Sequence, residues 1–297
     1  MTRVAVLADI HGNLPALEAV ARDLEQFGVD LVVVAGDLIN WGPCSEQVLE
    51  FVAERRWPVI RGNHEFYLLD YGTDRAPVAW QDSSQFATLP WLRNQLAGRW
   101  QTTIAAWPDA LTLRFSDAPP VLVVHGTPRS PWEPLYPHFS DADLKDALDV
   151  EEPVLVAAHT HLPMDRVVGD RHLINPGSVG VPLDGILAAS YMVMDGRPGG
   201  WQATFRRVPF DYEPLFREFE RGRFVEQCGV VGELAVAEFR TARPQVHPFM
   251  AWRNRHHPDA PLSMHLLSEF YKVDADDYNP TAYRLETLRA SLVRAAG

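Results

Sequence analysis

Short apolar runs recur at close spacing in the first two thirds of this chain and constrain its fold more than any other feature. Several of these runs are continuously apolar, which is typical of strands covered on both faces. Amphipathic stretches with helical spacing lie between the early runs. The predicted strands cover residues 4–8, 31–35, 59–61, 111–115, 121–125 and 154–158. This alternation predicts an α/β fold whose first strands are parallel.

Two helices are predicted between the first strands. The first carries apolar residues on one face from Leu14 to Leu24, and Asn13 is placed to cap its N-terminus. The second helix carries Val48 and Val52, and Ser45 is predicted as its cap.

The pattern changes after residue 165, where four strands follow closely and are separated by Gly, Asp and Pro turns. They are predicted at 165–168, 172–174, 190–195 and 201–208, and a second, more antiparallel sheet is expected. Helix-like stretches follow at 212–221, 225–241, 263–270 and 281–296, interrupted by a Pro- and His-rich connector at 243–261. We therefore expect a first domain over 1–208 and a helical C-terminal extension over 209–297 that packs on it.

Composition excludes several classes of protein. The formal net charge of −12 disfavours long nucleic acids, whose binding needs a concentrated basic surface. No apolar run approaches the roughly 20 residues that cross a bilayer, and no cleavage site follows the first residues, so we expect no membrane partner and a cytoplasmic location. Cys44 and Cys228 are expected to be reduced and buried.

Residues that commonly bind metals follow nearly every early strand. Because the carboxyl ends of strands in an open α/β sheet meet at one crevice, these residues should converge. Any single strand-end Asp or His is more often a cap or a core residue, but five of the eleven histidines occur in this pattern. The candidates are Asp9, His11, Asp37, Asn63, His64, His125, His159 and His161.

The donor types favour manganese, iron or zinc over other metals. Carboxylates, one amide and several imidazoles are too rich in nitrogen for magnesium or calcium alone, and the thiolates of a structural zinc site are missing. Seven ligands are too many for one tetrahedral ion, but they suit two ions about 3.5–4 Å apart that share a carboxylate. We expect two divalent transition-metal ions, with manganese favoured in vitro.

The motifs themselves resemble those of the calcineurin-like metallophosphoesterase superfamily over roughly residues 3–208. They are Asp9-x-His11, Gly36-Asp37, Gly62-Asn63-His64-Glu65, His125-Gly126 and His159-x-His161. The resemblance implies a four-layer αββα sandwich of two mixed sheets flanked by helices. It also implies that Asp9, His11 and His161 hold one ion and that Asn63, His125 and His159 hold the other, with Asp37 bridging. A bridging hydroxide would attack phosphorus, and His64 would act as the general acid.

Further motifs resemble the small bacterial and archaeal phosphodiesterase branch related to diadenosine tetraphosphatases. They lie at residues 9–17, 125–129 and 175–180. This resemblance implies hydrolysis of phosphodiesters or nucleotide phosphoanhydrides, with a small nucleotide as the expected substrate. Asn40, Trp41 and Arg129 are candidates for substrate contact. Core packing is the alternative for Trp41, and a surface salt bridge is the alternative for Arg129.

One departure from related enzymes bears on the substrate. Serine/threonine protein phosphatases carry Asp-Arg-Gly after the bridging aspartate, whereas this chain has Asn40-Trp41-Gly42. Phosphomonoesterase or protein phosphatase activity is therefore the alternative function, and a protein-binding scaffold that keeps its metal site is a third. The many aromatic residues after residue 209 are expected to pack on the core. A sharper hypothesis is that part of this segment caps the crevice or forms a homodimer contact.

Overall fold

The computed structural model describes residues 1–96 and 98–279. Its strands form a four-stranded sheet in the order β2-β1-β8-β9 and a five-stranded sheet in the order β3-β4-β5-β7-β6. In the described residues the strands are β1 (Arg3–Leu7), β2 (Leu31–Val34), β3 (Ala110–Leu113), β4 (Val121–Val124), β5 (Val154–Ala157), β6 (Met164–Val168), β7 (Arg171–Asn175), β8 (Ala189–Arg197) and β9 (Gly200–Val208).

Helices cover the outer face of each sheet. They are α1 (Leu14–Leu24), α2 (Ser45–Glu54), α3 (Asn63–Asp70), α4 (Thr88–Leu96), α5 (Gln101–Ala105), α6 (Asp141–Leu144), α7 (Glu213–Arg221), α8 (Phe224–Thr241), α9 (Val246–His256) and α10 (Met264–Phe270). Asn13 caps α1 by accepting a hydrogen bond from the Ala16 amide, as predicted. The prediction for Ser45 is wrong, because Cys44 occupies the cap of α2 and the Ser45 hydroxyl bonds to the preceding loop instead.

The alternation of side chains along the strands builds the layers. Val4 and Val6 of β1 face the second sheet and pack in one buried cluster with Val154 and Val156 of β5. Leu7, on the opposite face of β1, packs in a different cluster with the covering helices. The first two strands are parallel, as predicted, with Val4 opposite Leu31. The predicted four-layer αββα sandwich of two mixed sheets is therefore confirmed.

The four strands after residue 163 do not form a sheet of their own, which corrects the expectation. β6 and β7 join the second sheet, where β7 is parallel to β5. β8 and β9 join the first sheet, where β8 is antiparallel to β1. Hydrophobic alternation gives the face that a strand buries, not its neighbour, so the sequence pattern leaves this partition open. The predicted strand at 59–61 is reduced to a single bridge between Val34 and Val59.

The C-terminal helices pack against the helical side of the first sheet. Leu215, Phe219 and Phe239 belong to the same buried cluster as residues of α1 and α2. A separate cluster joins α8 to α9 and α10 through residues such as Leu234 and Phe249. The predicted connector at 243–261 contains α9, because Pro248 is tolerated in the first turn and two apolar side chains after it are buried.

The remaining expectations concern the last predicted helix, the domain boundary, the two cysteines and membrane-spanning segments. The helix predicted at 281–296 lies outside the described residues, and the domain boundary at 208/209 stays a prediction. Cys44 and Cys228 are both buried and unbridged. Within the part of the chain that the structure describes, no helix has the length and apolarity needed to cross a membrane.

Candidate metal centre and cleft

The candidate ligands converge on one edge between the two sheets. Asp9 and His11 follow β1, Asp37 follows β2, His125 follows β4, and His159 and His161 follow β5. Asn63 is the first residue of α3, and His64 is the second. All of these side chains are buried except that of His159, which is partly exposed. The structure therefore brings together every residue that the motifs single out as a ligand or as the acid.

The donor atoms fall into overlapping groups within metal-binding distance of one another. One group contains Asp9, His11 and His161, and another contains Asp37, His125 and His159. The Nε2 atom of His161 lies 3.5 Å from Asp9 Oδ1. Asp37 Oδ2 lies 3.2 Å from His125 Nε2 and 3.6 Å from His11 Nε2. Asp37 thus lies between the two groups.

The position of Asn63 fits the second group. Its Oδ1 lies 2.9 Å from His125 Nε2. A third group, however, joins His64 with His11 and Asp37, and His64 Nε2 lies 3.9 Å from Asp37 Oδ2. His64 is therefore close to the candidate ligands and could itself bind a metal.

Hydrogen bonds fix which nitrogen of two histidines faces the site. His125 Nδ1 lies 2.8 Å from the Ala35 carbonyl oxygen, and His161 Nδ1 lies 2.6 Å from the Val181 carbonyl oxygen. Although burial lowers it, the charge of Asp37 raises the pKa of His125 to about 10, so this ring must lose a proton to bind a metal. A carbonyl oxygen only accepts, so each Nδ1 donates and each Nε2 is directed at the other candidate ligands. This is the usual way in which proteins orient a metal-binding imidazole.

The backbone at the site is held in an unfavourable conformation. Asp9, His11, Asp37, His159 and His161 all have a positive φ, between 47° and 67°. Residues other than glycine adopt this left-handed region rarely, and each costs of order 1–3 kcal/mol when the surroundings enforce it. Asn40 and Trp41 share the feature, with φ of 71° and 60°. Strain of this kind, concentrated where side chains must point inward, is typical of functional sites.

Glu65 holds the loop that carries Asp37, and the sequence reasoning gave it no role. Its carboxylate accepts hydrogen bonds from the amides of Asp37, Leu38 and Gly62 at 2.7–2.9 Å. Burial raises the pKa of Glu65 to about 7. The signal in the sequence was the capping pattern of a Glu three residues after the residue that precedes a helix.

The loop at 175–180 fixes the position of Asp9. The Ser178 hydroxyl donates to the Asp9 carbonyl oxygen at 2.7 Å, and the Gly180 amide donates to the same oxygen at 3.0 Å. A side chain at position 180 would clash, because its Cβ would lie 1.8 Å from the Ile10 carbonyl oxygen. The motif at 175–180 therefore acts by close backbone packing against the strand-end loop.

Buried carboxylate oxygens without partners and the lowered pKa values of two histidines indicate that a divalent cation fits this set of donor atoms. Both carboxylate oxygens of Asp9 are buried without a hydrogen-bond partner, a costly state that a bound cation relieves. Desolvation lowers the pKa of His159 to about 3 and that of His161 to about 4, so both rings are neutral at pH 7, as metal ligands must be. Burial also raises the pKa of Asp9 well above its ordinary value.

A cavity of about 490 Å³ opens beside these residues. One side of it, which we call the strand-end wall, carries Asp37, Asn63, His64, His159 and His161. Another side, the helical wall, carries Val231, Glu238, Val246, His247 and Met250 of α8 and α9. Aromatic residues, among them Tyr67, Trp132 and Tyr136, complete the lining. A cavity of this volume is typical of small-molecule sites.

The three candidates for substrate contact have different positions. Asn40 and Trp41 line the cavity, and the Trp41 ring stacks on His11 with 5.3 Å between ring centroids. Arg129 does not line it. Its exposed guanidinium instead pairs with Glu133 at 2.8 Å, which is the salt bridge considered above as the alternative. A substrate contact by Arg129 stays a prediction.

The αββα fold and this donor set define the class of metal-dependent phosphoric ester hydrolases. A family model described as calcineurin-like phosphoesterase matches residues 2–172, which is more than half of the 297-residue chain. The chain belongs to this family, whose members use divalent metals.

Several relatives extend the likeness beyond the matched segment. The uncharacterized protein MJ0912 of Methanocaldococcus jannaschii is 25% identical over 259 residues, which is 76% of this chain and 95% of the relative. The phosphodiesterase YfcE of Escherichia coli K12 is 28% identical over 205 residues, 66% of this chain and 88% of the relative. A metallophosphoesterase structure from Sphaerobacter thermophilus superposes with a TM-score of 0.63 at 24% identity, covering 81% of this chain and 99% of that one, and shows the same fold.

Proposed function

We propose that the protein hydrolyses phosphodiester or phosphoanhydride bonds of small nucleotides at a binuclear metal centre. The single observation that carries this proposal is the position of Asp37, whose Oδ2 lies within 4 Å of Nε2 atoms of His11, His64 and His125. A carboxylate between two groups of ligands is the arrangement that a bridging ligand requires. The similarity to the phosphodiesterase YfcE over 205 residues supports the reaction class.

The ligand assignment follows the two groups of donors. In this proposal Asp9, His11 and His161 hold one ion, Asn63, His125 and His159 hold the other, and Asp37 is shared. When bound, two divalent ions supply positive charge to the phosphate oxygens and activate the attacking water. The imidazole rings, the amide oxygen and the two aspartates favour manganese, iron or zinc.

The residues of the chain have separate tasks in the reaction. His64 lies in the lining of the cavity and donates the proton that the leaving oxygen needs, which contributes about 10²–10⁴-fold to the rate. Glu65 holds the loop of Asp37 through three backbone amides. Trp41 flanks His11 and offers an aromatic face to a nucleobase.

The charge of the cleft supports a diester or anhydride over a phosphoprotein. Among the described residues, the cavity lining contains no arginine or lysine. A dianionic monoester is commonly gripped by an arginine, whose planar fork matches two phosphate oxygens. A singly charged diester needs less positive charge, and the aromatic lining suits an organic group on either side of the phosphorus.

A panel of substrates tests the proposal. Protein reconstituted with manganese is assayed with bis(4-nitrophenyl) phosphate, 4-nitrophenyl phosphate, cyclic nucleotides, dinucleoside polyphosphates and phosphoserine peptides, and its metal content is measured by elemental analysis. We expect close to two ions per chain and the highest kcat/KM for a diester or nucleotide anhydride. Faster hydrolysis of phosphoserine peptides would show that the alternative, a protein phosphatase, is correct. The homodimer and the cytoplasmic location stay predictions.

A further inference from the structure

The helical wall lies outside the segment that the family model matches. The matched segment ends at residue 172, whereas the wall is built by α8 and α9, after residue 223. Its residues line the same cavity as His64 and His161. The cleft is therefore lined both by the matched segment and by the C-terminal helices.

His247 is the titratable side chain of this wall that reaches solvent. It is the second residue of α9, and its side chain is exposed within the cleft. Protein surrounding the ring nevertheless lowers its pKa, as expected for a group in a deep cleft. Among the described residues, no side chain or backbone group forms a hydrogen bond with the ring, so both of its nitrogens are available to a ligand.

The start of α9 is fixed, so the position of His247 is defined. Glu238 of α8 accepts hydrogen bonds from the amides of Gln245 and Val246 at 2.8 and 3.0 Å. Phe249, two residues after His247, is fully buried between the C-terminal helices. A side chain held by both a capped helix start and a buried anchor is suited to specific binding.

The surroundings of His247 differ from those of the metal ligands. Val246 and Met250 flank it in the cavity lining, and Tyr67 and Trp132 belong to the same lining. His64 and His247 line the same cavity, each on a different wall. A pocket with an apolar and aromatic lining and a few polar side chains, His247 among them, is the type of site that takes an aromatic heterocycle.

We propose that His247 is a substrate-specificity residue that hydrogen-bonds the nucleoside part of the substrate while the strand-end wall binds its phosphate. This inference rests on the proposed function and extends it to the C-terminal extension. It also predicts that recognition of the nucleoside does not need a functional metal centre, since His247 belongs to the opposite wall.

Binding of adenosine 5′-monophosphate, measured by calorimetry on metal-free and manganese-loaded protein, tests the inference without turnover. The variants are His247→Ala, His247→Gln and, as a matched control, His265→Ala on α10, which is exposed and does not line the cavity. We expect His247→Ala to raise the Kd about 5–10-fold in both states, the loss of one hydrogen bond. His247→Gln should recover part of this loss, and His265→Ala should bind as the wild type does.

Kinetics separate this inference from the proposed function. The ratio of kcat/KM for a dinucleoside polyphosphate to that for bis(4-nitrophenyl) phosphate should fall about 5–10-fold in His247→Ala, mainly through KM. An unchanged Kd and an unchanged ratio would overturn the inference, as would a loss of metal from His247→Ala. If the wild type binds the nucleotide through His247 but hydrolyses no diester or anhydride, the proposed function fails and the binding role stands.

Discussion

The two walls of the cleft are built in different ways. The strand-end wall consists of short loops after β-strands, with a left-handed backbone at Asp37, His159 and His161 and with buried polar atoms nearby that lack partners. The helical wall consists of α8 and α9, whose apolar residues pack in continuous clusters. The comparison teaches that most of the non-glycine residues with a positive φ lie on the chemical side, and that helix packing supplies most of the other side, where Glu238 is the buried polar group.

Replacing Asp37 should have the largest effect of all. Asp37→Ala removes the carboxylate shared by both proposed ions, so we expect loss of metal at both positions and a fall in kcat/KM of at least about 10⁴-fold. Asp37→Asn preserves the side-chain volume and checks that the fold survives. The control is Asp74→Ala, an exposed aspartate outside the cleft. Retention of two ions by Asp37→Ala in elemental analysis would remove the bridging role.

His64→Ala should have the next largest effect, and it should act on chemistry rather than on metal retention. We expect both ions to remain bound and kcat to fall about 10²–10⁴-fold. The loss should be smaller for nitrophenyl leaving groups, which depart without a proton, than for alkyl leaving groups. Metal analysis and a series of leaving groups measure both effects. Equal losses across the series, or loss of one ion, would instead place His64 among the metal ligands.

Replacing one glycine near each wall compares the two walls by the loss in the free energy of unfolding. Gly180→Ala places a Cβ 1.8 Å from the Ile10 carbonyl oxygen, and we expect a loss of about 3–5 kcal/mol in the free energy of unfolding. Gly229→Ala on α8 meets open space and suffers only from a φ of 58°, which should cost about 1–3 kcal/mol. Urea unfolding of both variants without metal measures the difference. Equal losses of unfolding free energy in the two variants would show that the backbone around Gly180 relaxes more easily than its close contacts suggest.

The smallest expected effect is a pH dependence of the free energy of unfolding, caused by Glu238 of the helical wall. Burial raises the pKa of Glu238 to about 7, above its ordinary value near 4.5. A raised folded-state pKa means that Glu238 lowers stability as pH rises from about 4.5 through 7, because the buried group must ionise. Glu238→Gln keeps an acceptor for the two amides and removes the ionisation.

The measurement is the free energy of unfolding at pH 5 and pH 8 for both proteins. The free energy of unfolding of Glu238→Gln, relative to that of the wild type, should rise by up to about 3 kcal/mol between pH 5 and pH 8. Glu233→Gln on the same helix, a side chain only partly buried, serves as the control. If the difference in unfolding free energy between the wild type and Glu238→Gln is the same at pH 5 and pH 8, the raised pKa of Glu238 is contradicted.

The strand-end wall could be predicted from sequence because its information is local. Each candidate ligand except Asn63 follows an apolar strand by one or a few residues, and the carboxyl ends of strands meet in space whatever their order in the sheet. The order itself could not be predicted. The strands at 164–175 and 189–208 have the same alternation and turns, yet they enter different sheets, since pairing depends on contacts far apart in the chain.

The helical wall could be predicted only in part: the helix expected at 225–241 is present as α8, whereas α9 lies in the predicted connector. The segment containing α9 begins with Pro244 and contains Pro248, and its histidines resemble those of a loop. It is a helix because Phe249 and Trp252 are buried against α10, a tertiary contact that outweighs local propensity. Glu65 was missed because two of its amide partners, Asp37 and Leu38, come near it only in the folded chain, whereas its contact with Gly62 is local and has the capping pattern.

The pairing of β1 with β8 also has a consequence for synthesis on the ribosome. Val4 lies opposite Met194, so the partner of the first strand is translated 190 residues later (194 − 4). At roughly 5–20 residues per second this delay is about 10–40 s. During that interval the nascent chain carries an apolar strand with one open edge, which is the feature that promotes association between chains. Translation that stops before β8 emerges therefore yields a product whose first sheet is incomplete and prone to aggregate.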